Sequence, residues 1–85
     1  MKPRKLLQRL AQSQTNVRFG DLVHLAMALG FIHDRTDGSH RIFIHRVHKA
    51  AQLNLQPDKG QAKPYQVRQL LKLVEEYNLS IDEGT

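Results

Sequence analysis

The stretch FIHDRTDGSHRIFIH, Phe31–His45, decides the fold. On both sides of Asp37-Gly38 the chain alternates with a period of two and is rich in β-branched and aromatic residues, the pattern of two strands. Asp-Gly between such runs favours a two-residue type I′ turn, which sets the register. Thr36 then faces Ser39, Arg35 faces His40, Asp34 faces Arg41, His33 faces Ile42, Ile32 faces Phe43 and Phe31 faces Ile44. One face of this hairpin carries Phe31, His33, Arg35, His40, Ile42 and Ile44. The other carries Ile32, Asp34, Thr36, Ser39, Arg41 and Phe43. Opposite charges at Asp34 and Arg41 support the pairing, and a longer loop would shift all of it.

Upstream of the hairpin the period is helical. Leu6, Leu7 and Leu10 give one short amphipathic helix over residues 3–12, with Pro3 suited to its first turn. Ser13–Asn16 is a polar break, with Asn16 as an N-cap. Phe19, Leu22, Val23, Ala26 and Met27 then form one stripe of a second helix, ended by Gly30 with Phe31 folding back. His24 lies off that stripe as an exposed residue without a special role.

Downstream, Arg46–Ala51 reads as a connection and Gln52–Gln56 as a third strand, with Leu53 and Leu55 inward. Pro57–Pro64 is an exposed loop. A last helix runs from near Pro64 to about Tyr77, with Val67, Leu70, Leu71 and Val74 as its inner stripe and Arg68, Gln69, Lys72, Glu75 and Glu76 outside. The expected fold is α+β: a three-stranded antiparallel sheet with helices packed on one face, in the order α-α-β-β-β-α.

At 85 residues this is one domain with a modest core. It has no cysteine, so disulfides and thiolate chemistry are excluded, which suits a reducing cytosol. The charged start MKPRKLLQRLAQ lacks the apolar stretch of a secretory signal, and LAMALGFI is too short to span a bilayer. A cytoplasmic protein without membrane association is expected. Residues 1–74 hold 13 positive against 4 negative charges, a net +9, and the other acidic residues lie near the C-terminus. Such a basic domain calls for a polyanionic partner, RNA or DNA first.

His40 has chemical meaning in the expected register. Arg35 stands across the ladder, roughly 5 Å away between β-carbons. A neighbouring cation disfavours an imidazolium and leaves a neutral ring able to act as a general base. The same guanidinium can grip a phosphate oxygen bidentately. A base and a phosphate clamp are most of what RNA self-cleavage requires, with no metal or other cofactor. A second feature is DKGQAKPY, Asp58–Tyr65, where Lys59 and Lys63 flank a helix N-terminus that attracts phosphate. The spacing His45-x-x-His48 is ligand-like but lacks a carboxylate or thiolate beside it. Phe43, Tyr65 and His33 are the rings available to stack on bases, although nothing matches an RNA-recognition-motif signature.

VRFGDLVHLAMALGF, RTDGSHRIFIH and LNLQPDKGQAKPYQVRQLLKLVEEYNL together closely resemble the HicA-type toxins of bacterial toxin–antitoxin systems. The resemblance covers about residues 16–79 and is most specific at Gly38-Ser39-His40 and at KPYQVRQLL. It implies a double-stranded-RNA-binding-domain-like fold, mRNA interferase activity, and neutralisation by a HicB-type antitoxin. The histidine of the Gly-Ser-His motif is catalytic in that family, which makes His40 the catalytic residue here, with Gly38 and Ser39 shaping its approach. The expected layout is an N-terminal helical extension over 1–15, a HicA-like core over 16–79 and an acidic tail over 80–85, monomeric alone or hetero-oligomeric with its antitoxin. Arg35, Arg41, Ser39, Lys59, Lys63 and Arg68 are the expected RNA contacts. His33, diagonal to His40 in the expected register, or a water molecule is the candidate proton donor to the leaving oxygen. Two other readings stand beside the endoribonuclease: a non-catalytic RNA-binding module of the same fold, and a domain whose basic face docks an acidic protein.

Overall fold

The computed structural model describes residues 1–81; residues 82–85 of the acidic tail lie outside the described residues. The elements are α1 (Pro3–Gln12), β1 (Val17–Arg18), α2 (Phe19–Ala28), β2 (Phe31–Asp37), β3 (His40–His45), β4 (Gln52–Leu55), β5 (Gln61–Ala62) and α3 (Pro64–Glu76). Strands β2, β3 and β4 form one antiparallel sheet in that order, and β1 pairs with β5 in a second, two-stranded one. The α+β class and the order of helices and main strands are as expected. The short β1–β5 pair is not, because two residues carry no readable period.

That pair changes how α2 begins. Asn16 sits in the left-handed region, at φ 57°, rather than capping the helix. Arg18 is the N-cap and Phe19 the first helical residue, since Val17 and Arg18 are held by Ala62 and Gln61. The inner face of α2 is also rotated from the expected stripe. Leu22, Leu25, Ala26 and Leu29 are buried, whereas Met27 is 56% exposed. Leu6 and Leu10 of α1 join the same core as Phe31, Phe43, Leu53 and Leu55 of the sheet and Val67 and Leu70 of α3. Burial of each such side chain contributes about 1.5–3 kcal/mol.

The hairpin turn lies one residue later than Asp-Gly predicts. Asp37 pairs with His40, so Gly38 and Ser39 are the two loop residues. Gly38 has φ 63° and Ser39 is not in the left-handed region, which is the pattern of a type II′ turn with glycine first. Arg35 therefore pairs with Ile42 and Thr36 with Arg41. A bulge at Asp34 then adds one residue to β2, so that His33 faces Phe43, Ile32 faces Ile44 and Phe31 faces His45. Because strand side chains alternate, the extra residue flips the outer half of β2 to the other face. The expected Asp34–Arg41 pair does not form; Asp34 accepts instead from the guanidinium of its neighbour Arg35, at 2.6 Å.

His45 is buried, and its ring is fully used. Nε2 donates to the Leu29 carbonyl at 2.9 Å, and Nδ1 accepts from the backbone N–H groups of Val47 and His48, each at 3.1 Å. The ring meets Phe31 edge-on, and the His48 ring lies between it and Tyr77. These contacts tie the end of α2, the end of β3 and the 46–51 connection to the end of α3. They also leave His45 no nitrogen for a metal, and no cluster of metal-ligating side chains occurs among the described residues.

Candidate active site

The core side of the sheet carries Phe31, Phe43, His45, Leu53 and Leu55; the opposite side is open to solvent. Cross-strand partners share a face, so the open side carries His40 with Asp37, Ile42 with Arg35 and Asn54, and Ile44 with Ile32 and Gln52. The catalytic candidate thus stands at the first position of β3, exposed, on the rim of a rigid sheet.

The partner expected for it is a different one. Arg35 shares the face of His40 but lies two rungs further along, and its guanidinium is engaged by Asp34. Across the ladder from His40 is the carboxylate-bearing Asp37. The ring itself is held from β4: Nδ1 of His40 lies 2.9 Å from Oδ1 of Asn54, its diagonal neighbour. Next to it, Nε2 of Gln56 donates to Oγ of Ser39 at 2.8 Å. Gln56 is held in turn by α3, because the Gln66 side chain donates to its carbonyl at 3.1 Å. Gln66 is fully buried near the start of that helix.

The remaining expected residues are dispersed. Arg41 is on the core side, with its guanidinium over the Phe19 ring at 5.1 Å, a cation–π contact near the turn end of the central strand. His33 is on that side too, stacked at a tilt on Phe43 and bonded to Thr36. It is therefore not diagonal to His40 and does not share its face. Lys59 has φ 53° in the turn closed by Asp58 and Gln61, Lys63 is the N-cap of α3, and Arg68 is exposed one turn into the helix. Of the rings considered for base stacking, Phe43 is buried and Tyr65 is 53% exposed.

The family model described as HicA toxin of bacterial toxin-antitoxin matches residues 19–75, two thirds of the chain. The chain belongs to the HicA toxin family. The match runs from the first residue of α2 almost to the end of α3, and so includes the hairpin, His40, Asn54, Gln56 and Gln66. Helix α1 precedes it, although its leucines complete the common core. HicA toxins act within toxin–antitoxin systems, so a cognate antitoxin is the partner class for this chain. No curated protein and no solved structure matches it.

Asn54, Gln56 and Gln66 are the site residues that sequence reasoning missed. In QLNLQ the outward positions are visible as polar, but their roles depend on which rung of β3 faces which rung of β4. Gln66 interrupts no pattern and gives no signal.

Proposed function

We propose that this HicA-family toxin is a type II toxin–antitoxin endoribonuclease that cleaves mRNA with His40 as its catalytic residue and without metal. The observation that carries this reading is the setting of His40. It is an exposed imidazole in the Gly-Ser-His turn, gripped at one nitrogen by a side chain from the neighbouring strand, with the other nitrogen unpartnered among the described residues.

In the reaction the 2′-hydroxyl proton passes to His40 and the 2′-oxygen bonds to the adjacent phosphorus. The bond from phosphorus to the 5′-oxygen breaks, and that oxygen takes a proton from water. The ring returns its proton to the hydroxide left behind. The products are a 2′,3′-cyclic phosphate and a 5′-hydroxyl. Ser39, in the turn next to His40, and Arg35, on the face of His40 two rungs further along, are the groups suited to the extra charge that gathers on phosphate oxygen. Lys59, Lys63 and Arg68 hold flanking phosphates; Arg41 adds charge from the turn end of the central strand. A HicB-type antitoxin silences the enzyme in the cytoplasm, where its mRNA substrate resides. No described helix is long and apolar enough to cross a membrane.

The net basic charge equally favours a module that binds RNA without cutting it. Incubating the purified protein with an end-labelled transcript in excess EDTA separates the two. Fragments ending in cyclic phosphate support the nuclease. Intact RNA at saturating protein supports the binder.

A further inference from the structure

We propose that Asn54 and Gln56 are positioning residues, which assign opposite hydrogen-bonding roles to the two reacting groups of the turn. Asn54 makes Nε2 of His40 the base, and Gln56 leaves the Ser39 hydroxyl free to donate to a phosphate oxygen. The proposal rests on the cleavage reaction above and specifies its atoms.

Donor and acceptor capacities fix these roles. Oδ1 of Asn54 can only accept, so Nδ1 of His40 donates across the 2.9 Å contact. A neutral imidazole carries one proton, and the bond made by one nitrogen decides the state of the other. With the proton on Nδ1, Nε2 keeps its lone pair and takes the proton of the substrate hydroxyl. Neutral histidine in water prefers the reverse arrangement, so without Asn54 the base would be present in a minor fraction of molecules.

The same logic applies one residue earlier with the roles exchanged. The Gln56 amide N–H donates to Oγ of Ser39 at 2.8 Å. Because Gln56 occupies one lone pair as a donor, the hydroxyl cannot donate to that amide nitrogen, and its proton is left for substrate. Asn54 and Gln56 are two residues apart on one chain segment, Asn54 within β4 and Gln56 just beyond it. The Gln66 contact to the Gln56 carbonyl fastens that segment to α3. A base and a donor are thereby set against each other by a single edge of the sheet.

Two readouts test this. In ¹⁵N long-range NMR spectra of the neutral ring, wild-type protein should show His40 protonated on Nδ1. Asn54→Ala should move the proton to Nε2, and Asn54→Asp, whose oxygen still accepts, should keep it on Nδ1. In single-turnover cleavage, Asn54→Ala should lower the rate about 10–100-fold with RNA affinity unchanged, the range typical of lost ring-orienting partners. Gln56→Ala should slow cleavage, and Ser39→Ala added to it should cost less than Ser39→Ala alone. A wild-type ring already protonated on Nε2, or one indifferent to Asn54→Ala, overturns the assignment for Asn54. Full additivity of the Ser39 and Gln56 changes overturns that for Gln56. The NMR result needs no turnover, so it stands apart from a failure of the nuclease reading, which would appear as intact RNA at saturating wild-type protein, and from a failure of His40 as the base, which would appear as undiminished cleavage by His40→Ala.

Discussion

A β-carbon on Gly30 would stand 2.6 Å from Nε2 of His45. Gly30 also has φ 101°, a conformation that side-chain-bearing residues rarely adopt. Two separate demands therefore meet at the end of α2: a backbone turn, and close approach of the ring that bonds the Leu29 carbonyl. Gly60 shares only the first demand, with φ 81° and no atom within 4 Å of where a β-carbon would lie. Gly30→Ala should lower unfolding free energy by more than about 1 kcal/mol, and by more than Gly60→Ala does. Urea titrations of both variants check this, and equal losses would remove the steric part of the account.

Helix α1 lies outside the family match yet places Leu10, 1% exposed, in the common core. Leu10→Ala should cost about 2–5 kcal/mol, the range for an emptied leucine site. A loss below about 0.5 kcal/mol would mean that α1 is a detachable appendage. The comparison is made by denaturant unfolding of the full chain.

Asp34 holds the Arg35 guanidinium in an exposed pair at 2.6 Å. Such pairs add about 0–1 kcal/mol to stability, so Asp34→Asn should leave unfolding nearly unchanged. It should nevertheless tighten RNA binding, by removing an anion and releasing a phosphate-binding arginine. Measured as log affinity against log salt, the slope should steepen by up to about 0.7 for single-stranded RNA. Unchanged affinity and an unchanged slope would place RNA away from this face.

How much of the molecule is legible in the sequence differs by element. Helix α3 is readable because Pro64 marks its start and Val67, Leu70, Leu71 and Val74 repeat at helical spacing. The existence of the β2–β3 hairpin is readable from its alternation, but its register is not. Asp37-Gly38-Ser39 accommodates either a type I′ turn centred on Asp-Gly or a type II′ turn centred on Gly-Ser, and the difference moves every rung. The bulge at Asp34 leaves no local mark, and it alone carries His33 away from the face of His40. The position of His40 on the sheet rim follows from the sequence; its partner does not. Arg35 is expected and Asn54 is found, because long-range contacts between β3 and β4 follow from the register rather than from spacing in the chain. Met27 is expected inward for a related reason: hydrophobicity alone does not separate it from Leu25, which the packing of α2 buries instead.

The central claim is that His40 performs the chemistry. Its most direct test is the single-turnover rate of transcript cleavage, in EDTA, by purified wild-type and His40→Ala proteins of matched folding. Loss of the base should lower the rate by at least about 100-fold, while the exposed substitution shifts unfolding free energy by no more than about 0.5 kcal/mol. Cleavage by the folded variant at the wild-type rate would contradict the claim.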